Sequence, residues 1–273
     1  MQKNERILVK YISKVFFLLI FFVVFYALPL KITRVILSTD VNPDYYQFWP
    51  VVARAWREII GIKPTLVFIN GPNVEINKQL GDVIQFEPIE GISTSFQAQT
   101  IRLLIPALYP DDVCILSDID MIPLRRKYFE RYTAFAPDDS LIVFRTRKNK
   151  NGTFMRYPMC YTVAKGSVFQ EIFGVRSMDD IRQRITEWWG LSLGWGTDEL
   201  MLLKYLKEWP DRKKRLIKLN HTPNYRRISR IISLEMIFKI RAGEYIDCHA
   251  PRPYKKYKKI IDEVIRAAKQ YKK

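Results

Sequence analysis

The feature that most restricts the fold of this chain is an alternation of apolar, β-branched runs with segments of helical spacing. Between residues 31 and 119 this pattern repeats with short connections. The predicted strands are Lys31–Asp40, Lys63–Asn70, Asp82–Ile89 and Val113–Ile119, and the predicted helices are Asn42–Gly61 and Ser95–Pro110. Strands and helices in alternation are typical of an α/β sheet with helices on both faces.

Local signals refine these elements. Gly61 is expected to end the first helix in spite of Pro50 in its interior. Ser93 or Thr94 is expected to cap the second helix, and Pro106 to kink it. Further along, the sequence predicts strands at Ser140–Thr146 and Tyr157–Gly166, a helix after a Gly-rich loop within Gly194–Trp209, and a basic amphipathic helix over 255–273.

Carboxylates stand where two of these strands end. The letters STD at 38–40 close the first strand, and SDID at 117–120 closes the fourth. In open α/β sheets, ligands bind at the carboxyl ends of the strands. Asp118 and Asp120 repel one another unless a positive group lies between them, and aspartate oxygens together with phosphates suit Mg²⁺ or Mn²⁺. The pair alone favours a solvated turn, and a metal–diphosphate site is the alternative that would neutralise the two charges.

The net charge narrows the class of partner. The formal charge is +17, and residues 201–273 hold 21 Lys and Arg against 7 Asp and Glu. This surplus favours phosphates, nucleic acid or anionic lipid as a partner. The chain has no helix-turn-helix, zinc-finger or RNA-recognition signature, so nucleic acid is not expected. Three widely spaced cysteines exclude a disulfide framework, and Cys114 within an apolar run is expected to be buried.

The N-terminal segment predicts a membrane anchor. The run VFFLLIFFVVFYALPL (Val15–Leu30) carries no charge, and its extension to Tyr11 adds only Lys14. Twenty helical residues span about 30 Å, and no small-x-small cleavage site follows. We expect a single-pass membrane protein anchored by residues 1–30. Basic residues on both flanks leave its orientation open between the Golgi or ER lumen and the cytoplasmic membrane face.

Four motifs, in order, resemble those of GT-A glycosyltransferases with an Asp-x-Asp motif, most closely glycosyltransferase family 8. They are VILSTDVNPDYY, AQTIRLLIPALYPDDVCILSDIDMIPL, TDELMLLKYL and CHAPRPY, and they span Arg34 to Tyr254. Glu199 stands where the family usually has Gln, and the last motif is compressed. The resemblance implies a GT-A catalytic domain over 31–254 with a mixed, Rossmann-like sheet, a nucleotide-sugar donor (UDP-linked in the expected case) and Mn²⁺ or Mg²⁺. The acceptor would be a glycan, glycoprotein or glycolipid.

The resemblance also implies roles for individual residues. Asp118, Asp120 and His249 would hold the metal, with Asp118 also at the ribose. Arg252 would bind the diphosphate, because guanidinium geometry suits phosphate oxygens. The remaining donor contacts would come from Thr39, Asp40, Asn42 and Arg102. Asp198 and Glu199 are the candidate catalytic carboxylates, and retention or inversion of the anomeric configuration stays undecided.

Structural alternatives accompany several of these roles. His249 could be a structural histidine, Arg102 could pair with a surface acid, and Asp40 could cap the helix near Pro43. Thr197 could cap the following helix, with its acids stabilising the helix dipole. Three tryptophans near the Gly-rich loop could stack on sugars or lie in the core: Trp188, Trp189 and Trp195.

Two further function classes compete with a glycosyltransferase. A nucleotide-sugar-forming nucleotidyltransferase should have a Gly-rich phosphate loop after the first strand, and STDVNPDYY contains none. A non-catalytic, basic membrane-associated binding protein would explain the anchor and the charge. With the anchor in place, the basic 255–273 segment is expected to lie on an anionic membrane surface and to hold the active site near membrane-proximal acceptors. A solvated charged tail is the alternative.

Overall fold

The computed structural model of the chain describes residues 30–70, 74–220 and 226–271. The strands are β1 (Arg34–Thr39), β2 (Lys63–Ile69), β3 (Asp82–Phe86), β4 (Val113–Leu116), β5 (Met121–Pro123), β6 (Leu141–Thr146), β7 (Thr162–Lys165), β8 (Leu216–Asn220), β9 (Arg226–Ser229) and β10 (Tyr245–His249). The helices are α1 (Pro43–Tyr46), α2 (Trp49–Ala55), α3 (Thr94–Leu104), α4 (Arg126–Thr133), α5 (Gly166–Phe173), α6 (Met178–Gly190), α7 (Thr197–Glu208), α8 (Arg212–Arg215), α9 (Leu234–Arg241) and α10 (Tyr254–Gln270).

A mixed sheet forms the centre of the fold. Within the described residues, its seven strands follow the order β3-β2-β1-β4-β7-β6-β8. Strand β7 runs antiparallel to both of its neighbours, and the other neighbouring strands pair in parallel. A small second sheet has the order β5-β10-β9. The prediction of an α/β fold with a mixed sheet flanked by helices is confirmed.

Both faces of the sheet are buried, which explains why its strands read as continuous apolar runs. In β1, Val35 and Leu37 face a core shared with α2, α4, α9 and α10. Ile36, between them, faces the opposite core, which is shared with α3, α5, α6 and α7. Cys114 is buried, as its apolar context predicts.

The strand order places a reversal point beside β1. The chain first builds β2 and β3 on one side of β1, and then crosses to the other side to form β4. Strands β1 and β4 are parallel neighbours, with Ile36 opposite Leu116. Their carboxyl ends therefore lie side by side, at the position where open α/β sheets bind ligands.

Several predicted elements are shorter in the structure, and two of these differences have clear physical reasons. The predicted helix Asn42–Gly61 is divided into α1, α2 and a π-helical stretch Trp56–Ile60. Pro50 lies in the first turn of α2, where its missing N–H leaves no bond unmade. Strand β4 ends at Leu116 rather than Ile119, because the chain turns at Ser117–Asp120 and enters the second sheet as β5. Helices α4 and α6 are not among the elements predicted from the sequence.

The predicted membrane localisation is wrong. Among the residues that the structure describes, no helix combines the length and the apolar character needed to cross a bilayer. Residues 1–29 of the predicted anchor lie outside the described residues. Leu30 is the last residue of the predicted anchor. It is 1% exposed and belongs to one of the two cores that flank the main sheet.

The membrane-surface role of the basic C-terminal helix is corrected as well. The apolar face of α10 is already covered by protein, since Ile261, Val264 and Ala268 are buried in the core. Helix α10 packs against α9 and the π-helical stretch after α2. The lysines of α10 lie on the outer side, so that its amphipathic pattern is that of an ordinary surface helix.

Candidate active site

A cleft of about 670 Å³ opens at the carboxyl ends of β1 and β4. Small-molecule sites commonly have volumes of about 300–1,000 Å³. The ten residues singled out in the sequence all line this cleft: Thr39, Asp40, Asn42, Arg102, Asp118, Asp120, Asp198, Glu199, His249 and Arg252. The structure thus brings together residues separated by more than two hundred positions, while their individual roles stay predictions.

Asp40 is fixed at the end of β1. Its Oδ1 accepts from the backbone N–H of Asn42 at 3.1 Å, and its Oδ2 accepts from the hydroxyl of Thr94 at 2.9 Å. The cap of α1 is the side chain of Asn42, which accepts from the backbone N–H of Asp44 at 3.0 Å. The expectation that Asp40 caps this helix is therefore wrong, and Asp40 instead shapes the loop that follows β1.

Arg102 joins two carboxylates of the cleft. Its guanidinium donates to Asp118 through Nη1 and to Asp198 through Nη2, the latter at 3.0 Å. Burial alone would lower the pKa of Arg102, but the charges of Asp118 and Asp198 raise it above the ordinary arginine value. Arg102 is not paired with a surface acid, because its side chain is 11% exposed and that of Asp198 is 2% exposed. We call Asp118, Arg102 and Asp198 the Arg102 cluster.

Three hydrogen bonds occupy most of the acceptor sites of the Asp198 carboxylate. Its Oδ1 accepts from Gln99 Nε2 at 3.1 Å and from the backbone N–H of Glu199 at 2.8 Å, and its Oδ2 accepts from Arg102. Burial raises the pKa of Asp198, although Arg102 opposes this effect. These contacts hold the Asp198 carboxylate against the guanidinium of Arg102.

Glu199 is the more accessible carboxylate of the pair. Its side chain is 27% exposed and forms an ion pair at 3.1 Å with the exposed Arg156. Burial and the charge of Asp198 raise the pKa of Glu199, while Arg156 lowers it. Helix α7, which presents both acids, begins after Gly196, whose φ of 100° lies in the left-handed region. Thr197 donates to the carbonyl of Gly194 at 2.7 Å instead of capping the helix, which corrects that expectation.

Asp120 lies among positive groups on one side of the cleft. Its Oδ2 is 3.0 Å from Arg230 Nη2, 3.3 Å from His249 Nε2 and 3.8 Å from Arg252 Nε. Burial would raise the pKa of Asp120, but His249, Arg230 and Arg252 lower it below the ordinary value. Arg252 also lies over the ring of Tyr45, at 4.6 Å from its centre. This side of the cleft is suited to an anionic ligand.

Two of the three predicted metal ligands fit a divalent cation. The Oδ2 atom of Asp120 is buried and accepts no directed hydrogen bond. The 3.3 Å between this atom and His249 Nε2 matches the spacing of about 3 Å between two neighbouring ligands of a six-coordinate cation. The third, Asp118, is bound to Arg102. Among the described residues, no three such side chains are already grouped as a metal site.

The structure adds cleft residues that sequence reasoning missed. Arg230 and Arg156 contact predicted site residues, and Gln99 and Tyr45 hold two of them in place. The first Tyr of VNPDYY was one available signal for Tyr45, but no local pattern marks Arg230. Its position depends on the pairing of β9 with β10, in which Ser229 lies opposite His249.

The three tryptophans near the Gly-rich loop have different surroundings. Trp188 is buried in the core, and Trp189 packs edge-on against Phe96 at 5.0 Å between ring centres. Trp195 is 76% exposed and lines the cleft beside Glu199. Only Trp195 is therefore placed where an indole could contact a sugar.

Comparisons with known proteins give structural neighbours but no sequence relatives. No protein-family model and no curated protein sequence matches the chain. The structure resembles the galactosyltransferase LgtC in complex with donor and acceptor sugar analogues, with 10% identity, a TM-score of 0.49 and coverage of 86% of this chain and 96% of LgtC. It also resembles a glycosyltransferase involved in glycosylation of the major capsid of PBCV-1, with 11% identity, a TM-score of 0.46 and coverage of 84% and 99%.

A third neighbour is the bifunctional glycosyltransferase WbbM, in its apo form. The identity is 11%, the TM-score is 0.48, and the alignment covers 87% of this chain but 50% of WbbM. All three neighbours are glycosyltransferases, at low identity and with TM-scores below 0.5. The function proposed for this chain therefore rests on the geometry of its own cleft.

Proposed function

We propose that the chain is a metal-dependent glycosyltransferase of the GT-A class. It would move a sugar from a nucleotide-sugar donor, UDP-linked in the expected case, to a hydroxyl group of a glycan, glycoprotein or glycolipid. One observation carries this proposal. The cleft at the β1–β4 reversal point has a cationic side around Asp120 and a separate carboxylate, Glu199, on α7.

The end of β1 suits the nucleoside of the donor. Asp40 is held by Asn42 and Thr94 in an orientation that leaves further lone pairs for hydroxyl or base N–H groups. Thr39 and Asn42 line the same part of the cleft. These polar groups stand next to Tyr45, whose ring supports the guanidinium of Arg252.

The cationic side suits the diphosphate. Arg252 and Arg230 both approach Asp120, and neither is neutralised by a second carboxylate among the described residues. Asp120 and His249 would hold Mn²⁺ or Mg²⁺, with Asp118 as the third predicted ligand. A bound divalent cation supplies Lewis-acid stabilisation of the negative charge that develops on the departing diphosphate. Arg252 adds charge-assisted hydrogen bonds to the same phosphates.

Glu199 is the carboxylate that we assign to the reacting sugar or the acceptor. Asp198 is unsuitable because its oxygens already accept hydrogen bonds from Gln99, Arg102 and the Glu199 backbone. A general base that takes the proton of the acceptor hydroxyl gives a product of inverted anomeric configuration. A nucleophile that forms a covalent intermediate gives retention. The anomeric configuration of the product, read by NMR coupling constants, distinguishes these two roles.

We expect Glu199→Gln to lower the turnover number by about a hundredfold or more, because the amide can neither accept the proton nor attack. The raised pKa of Glu199 predicts that wild-type turnover falls, as the pH is lowered, at a higher pH than for an ordinary glutamate. This acidic limb should be missing in the variant. Glu187→Gln, on the exposed side of α6, is the matched control and should leave turnover unchanged. Wild-type rates and an unchanged pH profile in Glu199→Gln would remove Glu199 from the reaction.

The experiment that tests the proposed function measures nucleoside-diphosphate release from a panel of nucleotide-sugars by the full chain. We expect one donor to be turned over with Mn²⁺ or Mg²⁺, and turnover to stop when a chelator is added. Release that continues in chelator at the same rate would contradict the metal dependence. Absence of both binding and release across the panel would contradict the transferase proposal and favour a non-catalytic binding protein.

A further inference from the structure

The guanidinium of Arg230 lies between the two groups that are proposed to hold a divalent cation. Its Nη2 is 2.5 Å from His249 Nε2 and 3.0 Å from Asp120 Oδ2. These two atoms are themselves 3.3 Å apart. The three atoms thus form a compact triangle. The positive charge of Arg230 occupies the corner where a cation held by Asp120 and His249 would bind.

Arg230 is held in this position by its backbone and by a second contact. Its Nη1 donates to the carbonyl of Ala250 at 2.9 Å, and its backbone N–H donates to the carbonyl of His249 at 2.8 Å. Its φ of 63° lies in the left-handed region, which is unfavourable for a side chain of this size. The surrounding contacts therefore determine this conformation, rather than local preference.

Three other arginines of the cleft have different partners, and Arg252 approaches Asp120 only at 3.8 Å. Arg227 donates through Nε and Nη2 to the two oxygens of the buried Asp247, at 2.8 and 2.7 Å. Arg102 bridges Asp118 and Asp198, and Arg156 pairs with Glu199. Arg230 is the one that contacts both Asp120 and His249 within the described residues.

The ion pair between Arg230 and Asp120 does not fully satisfy the carboxylate, so a metal ion can take the place of the guanidinium. Although the ion pair is short, Asp120 Oδ2 accepts no hydrogen bond of good geometry. A compact divalent cation would satisfy this oxygen and the lone pair of His249 together, whereas the planar guanidinium satisfies only the imidazole well.

We propose that Arg230 is the resident cation of the Asp120–His249 pair, and that a divalent metal ion binds there by displacing its guanidinium. The displaced guanidinium remains at the cationic side of the cleft, where a diphosphate would attract it. Arg230 thus weakens metal binding in the absence of nucleotide, because the metal must displace the guanidinium without a diphosphate to receive it. This inference deepens the proposed function and rests on its assignment of Asp120 and His249.

The test is the affinity for Mn²⁺ alone, measured by electron paramagnetic resonance on the full chain and its variants. In Arg230→Gln, the dissociation constant of Mn²⁺ should fall about tenfold or more, because a unit positive charge in contact with the site is removed. Arg156→Gln removes the same charge from the same cleft without touching Asp120, and should change the constant less than about twofold. Adding Asp120→Asn to Arg230→Gln should abolish the gain.

Three results would overturn the inference: an unchanged or weaker Mn²⁺ affinity in Arg230→Gln, no Mn²⁺ binding in that variant, or an equal gain in Arg156→Gln. The outcome is separable from that of the proposed function, since Mn²⁺ binding requires no donor. Tighter Mn²⁺ binding without donor turnover supports Arg230 and contradicts the transferase. Metal-dependent turnover with unchanged Mn²⁺ affinity supports the transferase and contradicts the role of Arg230.

Discussion

Replacing Asp120 by Asn is expected to lower donor turnover by about a thousandfold. The substitution keeps the size of the side chain but removes the negative charge that faces Arg230, His249 and Arg252. The predicted metal then loses an anionic ligand. The side chains of Arg230, His249 and Arg252 lose the carboxylate that holds them in place. A loss of this order is typical when a preorganised electrostatic contact to the developing charge is removed.

The measurement is the turnover number for the donor identified in the panel, at saturating Mn²⁺. Asp139→Asn is the matched control, because Asp139 is an exposed aspartate that pairs with Arg215 away from the cleft. Its turnover should equal that of the unaltered chain. If Asp120→Asn retains more than about a tenth of the activity, Asp120 is not part of the reaction centre.

The second large effect concerns stability. We expect Arg102→Met to lower the free energy of unfolding by about 3 kcal/mol or more, because it leaves Asp118 and Asp198 without their shared cation. Asp198 is almost wholly buried, so that its charge has no compensating water. The deficit should shrink as the pH falls toward the raised pKa of Asp198, since protonation removes the uncompensated charge.

Urea denaturation of the two proteins measures this difference. Arg126→Met provides the control, since Arg126 pairs with Glu130 on the surface and both side chains are more than half exposed. Such a pair contributes at most about 1 kcal/mol. Equal losses in Arg102→Met and Arg126→Met would contradict the structural role of the Arg102 cluster.

Much of the central sheet was predictable because its signals are local. The apolar runs of β1 and β4 and the polar residues that follow them stand together in the sequence, so that both strands were found from pattern alone. The early end of β4 was not predictable. It depends on Met121–Pro123 pairing with β10, more than a hundred residues further along the chain.

The residues of the cleft also divide into those marked by a local sequence pattern and those that only the fold brings to the site. Asp118 and Asp120 are recognisable from their spacing after a buried strand. His249 and Arg252 are recognisable because they belong to one short motif, CHAPRPY. Arg230 lies in a basic run, RRISR, that gives no sign of a site. Its relation to His249 exists only because the second sheet aligns β9 with β10 in parallel. The division of roles between Asp198 and Glu199 likewise depends on Gln99 and Arg102 from a distant helix.

The most direct test of the account is a crystal structure of the full chain with UDP and Mn²⁺, using the anomalous signal of manganese to locate the metal. We predict a manganese peak in contact with Asp120 and His249, the diphosphate facing Arg252, and the guanidinium of Arg230 moved from its position between them. A nucleotide bound outside the cleft at the ends of β1 and β4, or manganese bound away from Asp120, would contradict the central claim.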